Sequence, residues 1–297
     1  MHKLLKKTGL IAVWLAACLS LLTGCQGQKG DKPPDVTRSE PGVLIITGNG
    51  VDQECRFTTE ELKSMEEALA GACYSALNNW PAKKFIVGKG IKLTHLLQKA
   101  GIKEDAQTIT VRAADGYSAR FTMEQLEEKR FCFPNLIEDS PAEAVEVPMI
   151  LAWEYQEDTT DLSKAASGKL RLIFGQTRLN EVVTAAFVKD VAVIEVSTAP
   201  PGQWSVVWAE PAPGKVKQGT EVILSHPEQD LVKIHYTVDG SDPDRESTVY
   251  NPSTTYFRPE LNKPIPVDKP VTIKAIAIGF GKHSSQVATF KYDVEEN

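Results

Sequence analysis

The sequence predicts an α+β domain followed by an all-β, immunoglobulin-like sandwich. Three observations carry this expectation. The first half interleaves short apolar runs of strand length with two helix-opening capping patterns. The second half holds only β-branched runs separated by Pro and Gly, with no sustained helical period. Between them stands the break Ala199-Pro200-Pro201-Gly202. At 297 residues the chain is long enough for two domains that each bury a core.

The chain opens with Lys3, Lys6 and Lys7, then an apolar run from Leu10 to Leu22 that is short for a membrane span. Leu22-Thr23-Gly24-Cys25 follows. This resembles the lipobox of bacterial lipoproteins, which implies removal of residues 1–24 as a signal peptide and lipidation of Cys25. Several acyl chains on one Cys anchor stably where a single chain binds only marginally. Residues 25–41 are polar and include Pro33-Pro34, which reads as a flexible tether. The expected site is therefore the extracytoplasmic face of the cell membrane, held by lipid.

The first domain spans 42–199. Val43–Thr47 is a β-branched run, and Thr58-Thr59-Glu60-Glu61 is a capping box that opens a helix. Leu93, Leu96, Leu97 and Ala100 fall on one helical face, with Gly101 suited to a left-handed cap. Thr108–Ala113 and Tyr117–Phe121 flank Asp115-Gly116, a hairpin signal. A second capping pattern lies at Thr122-Met123-Glu124-Gln125, and apolar runs Val145–Trp153, Leu170–Phe174 and Val191–Val196 follow. The second domain, 203–297, predicts strands at Glu221–Ser225, Val232–Val238, Val271–Ile278 and Val287–Tyr292, with Asp239-Gly240 turning after the second.

Charge and side-chain chemistry exclude several classes. The formal net charge is −6; without the three lysines of residues 1–24 the 33 basic residues become 30 against 39 acidic ones, which is −9. A chain this acidic, with no basic run, is expected to be a poor nucleic-acid binder, because phosphate neutralisation supplies most of that affinity. The five histidines are scattered and no Cys-x-x-Cys occurs, so a zinc site is not expected. Beyond Cys25, the thiols Cys55, Cys73 and Cys132 would sit in an oxidising compartment, where one disulfide and one free thiol is an option whose pairing spacing does not decide. Asp239, Asp242 and Asp244 invite a calcium reading, but Asp and Gly are also the residues a hydrogen-bonded turn requires, and the turn is favoured.

Ile46-Thr47-Gly48-Asn49-Gly50-Val51, Phe57–Leu62, Gly88 with Leu93–Leu97, Ala114–Tyr117 and Gly168–Gly175 occur in an order that resembles the oxidoreductase molybdopterin-binding domain, the fold of the sulfite oxidase family. The resemblance implies a Cys thiolate on molybdenum, four residues before a Trp that itself lies eight before a Gly. Trp80 and Gly88 keep the second spacing, which places Ala76 at the ligand position. A methyl group has no lone pair to give a metal. Cys73, three residues upstream, is the alternative ligand; Asn79, Trp80, Asp115 and Tyr117 are pocket candidates, and Arg171 and Lys189 are the basic residues available to a pterin phosphate.

In the second domain Tyr236-Thr237-Val238-Asp239-Gly240-Ser241-Asp242-Pro243, then Tyr250 and Lys274-Ala275-Ile276-Ala277, resemble the chitobiase/β-hexosaminidase C-terminal (GH29D-like) sandwich over about 209–293. That resemblance implies an accessory module without catalytic residues.

Together these readings lead to the expectation of a non-catalytic binding or scaffolding lipoprotein with no cofactor and no catalytic residue, whose partners are the membrane and an unidentified protein or cell-wall glycan. Two alternatives stand beside it. One is a molybdopterin-dependent oxidoreductase with Cys73 as an unusual ligand. The other is carbohydrate or cell-wall adhesion through the sandwich, using aromatics such as Trp204, Trp208, Tyr250, Tyr256 and Phe257.

Overall fold

A computed structural model describes residues 42–80, 82–251 and 259–295. The signal segment, Cys25, the tether, Tyr256 and Phe257 lie outside the described residues. Among the described residues no helix is long and apolar enough to cross a membrane.

The first domain is mostly β. Its strands are β1 (Val43–Thr47), β2 (Cys55–Thr58), β3 (Leu69–Leu77), β4 (Lys83–Lys92), β5 (Thr108–Ala113) and β6 (Ser118–Thr122). After these come β7 (Phe131–Cys132), β8 (Val145–Glu146), β9 (Ile150–Glu157), β10 (Ala166–Ile173) and β11 (Val191–Ser197). Three short helices, α1 (Thr59–Ser64), α2 (Leu93–Lys99) and α3 (Met123–Glu127), interrupt them.

The strands form a five-stranded sheet in the order β2-β1-β11-β5-β6 and a four-stranded antiparallel sheet in the order β10-β9-β4-β3. The pair β1 and β11 runs parallel. Alternation along β1 explains its burial. Leu44 and Ile46 point into the main core, while Ile45 meets its register partner Val193 on the opposite face. Tyr74 and Ala76 of β3, Ile86 and Ile91 of β4, and Leu93, Leu96 and Leu97 of α2 enter that same core, so both sheets close over one apolar interior.

The helix starts are those the sequence announced. Thr58 caps α1 with Glu61 returning to the cap N–H, and Thr122 caps α3 with Gln125 in the same role. Gly101 follows α2 at φ 67°, the left-handed cap. The hairpin β3–β4 was not among the expected strands. It turns through Asn78, whose side-chain oxygen accepts from Trp80 N–H at 2.9 Å and Ala82 N–H at 2.8 Å. Trp80 stands at its tip, 58% exposed, rather than packed in the core. The Val145–Trp153 run divides into β8 and the start of β9.

The second domain contains β12 (Trp208–Glu210), β13 (Gly214–Val216), β14 (Thr220–Ser225) and β15 (Val232–Thr237). It continues with β16 (Thr248–Tyr250), β17 (Ile265–Val267), β18 (Val271–Gly279) and β19 (Ala288–Val294). A three-stranded sheet β12-β14-β17 and a five-stranded sheet β13-β19-β18-β15-β16 share a core of Val222, Leu224, Ile234, Ile273, Phe290 and Tyr292. This is the sandwich arrangement, with alternate residues such as Ile223 facing out. The acidic turn residues serve their own loop. Asp239 accepts from Ser241 N–H and hydroxyl, Asp244 from Ser247 and Glu246, and Asp242 pairs with Lys274.

Gly90 sits where the β4–β9 register shifts, and a Cβ added there would lie 2.0 Å from the Leu151 carbonyl oxygen. Gly90→Ala is expected to lower stability by about 1–3 kcal/mol through backbone displacement. Urea unfolding should show a lower midpoint at unchanged slope.

Candidate functional site

Helix α3 sits where the two domains meet, and its capping residue does a second job there. Gln125 uses its Oε1 to accept both the Thr122 N–H of its own cap and the Gly281 N–H of the β18–β19 turn, at 3.1 and 2.9 Å. Its amide donates to Gly279 O at 3.0 Å. The same turn drives Phe280 into the first domain, where its ring lies 5.3 Å from Phe121 and 5.7 Å from Phe174. Further along the boundary Asn251 donates to Asn79 O at 3.0 Å, and Arg245 pairs with Glu128. These contacts are cross-domain, polar and apolar together, and they leave a cleft of about 320 Å³ beside them.

The cleft is walled by Tyr117, Arg120, Glu128, Arg178 and Glu181 from one side, and by Trp204, Lys233, His235, Arg245 and Lys282 from the other. Three of its acids, Glu128, Glu181 and Glu228, are already committed. Glu181 accepts from Thr177 N–H at 2.5 Å and from Arg130 at 3.3 Å, and Glu128 accepts from Arg130 and Arg245. Arg130 itself is 3% exposed and stacks over Phe174, 4.9 Å from the ring centroid, so this network is fixed in place. Glu228 is paired with Lys282, which lies over the Trp204 ring at 4.2 Å.

Arg178 is different. Among the described residues its guanidinium has no hydrogen-bonded acceptor and no ion-pair partner, and its Nε is buried. Burial lowers the pKa of Arg178, and the nearby carboxylate of Glu181 only partly opposes this. A desolvated cation without an acceptor is unfavourable unless an anion joins it. Burial also brings the Lys233 ammonium down to about 8, with Asp230 opposing. His235 is brought down to about 4, first by burial and then by the positive charge of Arg178.

Of the residues singled out from sequence, Asn79, Tyr117 and Trp204 line this cleft; Asn79 reaches Asp230 O at 3.4 Å and the Tyr117 hydroxyl donates to Ala185 O. The others do not join them. Asp115 is spent on its own turn, accepting from Tyr117 N–H at 2.9 Å. Trp80 projects to solvent. Arg171, 4% exposed, pairs with Glu157 at 2.7 Å, and Lys189 approaches the same carboxylate at 3.7 Å. Cys73 packs against the apolar cluster that contains Cys132, and the interaction of the two thiols raises the Cys73 pKa and lowers that of Cys132.

The donor set for a molybdenum–pterin group is therefore not assembled. Ala76 is fully buried in the main core, Cys73 falls on the opposite face of the same strand, and the two basic residues share one acid. The residues present do not fit that group. Nor, among the described residues, do three or more His, Cys, Asp or Glu side chains converge on a metal position. Arg178, Gln125 and Phe280 were not singled out from sequence. Gln125 was marked only as a helix cap, and Arg178 carried no motif, because its role arises from which loops meet.

Residues 211–289 match the family model described as "Chitobiase/beta-hexosaminidase C-terminal domain". No curated protein sequence matches the chain. Among solved structures, the sulfane dehydrogenase SoxCD from Paracoccus pantotrophus is similar at 12% identity and TM-score 0.35, covering 82% of this chain and 68% of that one. The Endo-D glycoside hydrolase domain from Streptococcus pneumoniae R6 is similar at 13% identity and TM-score 0.22, covering 74% of this chain and 32% of that one.

His235 gives a pH signature. Its folded pKa, about 4, lies below the ordinary 6.5, so the unfolded chain takes up a proton that the folded chain refuses. Stability is full above pH 6.5 and is expected to fall by about 3 kcal/mol as the pH drops to 4. Unfolding of His235→Gln across this range should lack that part of the slope.

Proposed function

We propose that this chain is a lipid-anchored, extracytoplasmic, non-catalytic binding protein whose interdomain cleft holds a small ligand bearing an oxyanion. In this reading Cys25 carries the lipid and residues 25–41 form the tether. Residues 42–199 keep a sulfite-oxidase-type framework that no longer serves a metal, and the membrane is the first partner. The observation that supports the binding role most is Arg178, a half-buried guanidinium on the cleft wall with no acceptor among the described residues. Guanidinium takes carboxylate, sulfate or phosphate oxygens in pairs, and the volume suits a small organic anion. The loss of redox chemistry is supported by Ala76 lying in the core where the resemblance calls for a thiolate.

The test uses the mature chain with sulfate, phosphate and acetate as probes, each compared with chloride at equal ionic strength. At least one should raise the unfolding midpoint, by about 2.7 kcal/mol in stability at one hundred times its Kd. Arg178→Met should abolish that gain while leaving the midpoint in chloride at or above the wild-type value. An equal gain in wild type and variant, or none in wild type, sinks the reading. Separately, protein isolated from its native source should contain no stoichiometric molybdenum; finding it would restore the oxidoreductase alternative.

A second reading places adhesion to cell-wall glycan on the sandwich, in keeping with the family description matched at 211–289. One observation favours it. Trp208 is 52% exposed on β12, and Ile223, 48% exposed, lies beside it on the same outward face of β14. Glycan-array binding that disappears in Trp208→Ala, with the fold intact, is the expected outcome of this reading; no binding by the wild type removes it.

A further inference from the structure

β3 is the outer strand of its sheet, and the short strand β7 passes alongside it. The two segments are held together by Ser75, whose hydroxyl accepts from Phe133 N–H at 2.9 Å and donates to Gln176 Oε1 at 2.6 Å. Tyr74 and Ala76 point into the main core, so alternation puts Cys73 on the Ser75 face of the strand. The Ser75–Phe133 bond brings Cys132, the residue before Phe133, alongside, and Cys73 packs against the apolar cluster that contains it; the two thiols shift each other's pKa in opposite directions. Cys55 lies elsewhere, with its sulfur directed at Lys99 O at 3.8 Å.

We infer that Cys73 and Cys132 form a cross-linking site, joined in the exported protein as a disulfide that ties β3 to β7 and leaves Cys55 as a free thiol. Both cysteines lie within two residues of the Ser75–Phe133 bond that ties the two segments together, so their thiols share one neighbourhood before any bridge forms. The oxidising surroundings rest on the extracytoplasmic placement proposed above. The bond has a consequence for the cleft, because β7 continues directly from Arg130, which holds Glu128 and Glu181 in the cleft wall.

The oxidant is a disulfide, either a low-molecular-weight one or one on a partner protein. Cys73, the more accessible sulfur, loses its proton and attacks one oxidant sulfur. The oxidant S–S bond breaks, and one thiolate leaves and takes up a proton. Cys132 then loses its proton and attacks the Cys73 sulfur, and the second oxidant thiolate leaves and takes that proton up. Two protein thiols are oxidised by two electrons, and one disulfide is reduced to two thiols.

Two arms test this on the full chain. In the first, protein exported from its native membrane is unfolded without reductant, alkylated with iodoacetamide and digested. The expected result is alkylation of Cys55 alone, with the Cys73 and Cys132 peptides joined at a mass 2 Da below their sum. Intact mass at Cys25 on the same sample shows whether lipid is present, so failure of the anchoring proposal is seen separately. In the second arm, reduced protein is treated with oxidised glutathione, which needs no assumption about location. Selective closure of Cys73 to Cys132 is expected, with a thermal midpoint roughly 10 °C above the reduced form for a loop of about 60 residues. Alkylation of both cysteines in lipid-bearing exported protein, or pairing through Cys55 in the second arm, overturns the inference.

Discussion

The arrangement of this molecule depends on one side chain that completes two structures at once. Gln125 closes the capping box of α3 and, through the same amide, holds the β18–β19 turn of the second domain. A buried amide with both ends satisfied is stable, and the same amide left with an open end is costly. The cap and the docking therefore support each other: without the turn, Gln125 would be a surface cap, and without the cap, its oxygen would not be aimed at Gly281. Phe280, carried by that turn, then supplies the apolar contact with Phe121 and Phe174.

This docking gives the cleft its chemistry. Arg178, Lys233 and His235 would be ordinary solvated groups on two separate surfaces. Bringing the surfaces together removes their water, and all three respond in the direction that disfavours the charged form. The wall acids relieve Arg178 only in part, because Arg130 and Arg245 hold Glu128, while Thr177 and Arg130 hold Glu181. With Glu128, Glu181 and Glu228 held by other partners and Arg178 without an acceptor among the described residues, the proposed ligand is an anion even though the net charge of the chain is −6.

What the sequence made legible was what local rules govern. Both capping boxes, the Gly101 cap, the Asp115-Gly116 hairpin and the alternating strands of the sandwich each follow from a few adjacent residues. β3 was not legible, because Leu69–Leu77 mixes Ala, Gly, Ser and Cys with only Tyr74 as a strong strand former, and its stability comes from pairing with β4 along its whole length. The short strands β12, β13, β16 and β17 escaped for a related reason, since three residues carry too little pattern. The cleft was hidden more deeply. Tyr117 and Asn79 were marked, but Arg178 and His235 acquire their character only from residues far away in the chain.

The contrast between positions 73 and 76 follows from the strand itself. Residues three apart on a strand face opposite sides, so Cys73 and Ala76 cannot serve the same site. Ala76 belongs to the interior, where a thiol would be one more apolar filler against Tyr74 and Ile86. Cys73 belongs to the face that β7 covers, where its neighbour is another sulfur. Moving sulfur from 73 to 76 would not recreate a metal ligand; it would bury the thiol and leave Cys132 alone. The strand's alternation puts the two positions on opposite faces, and in the reading proposed above each serves structure.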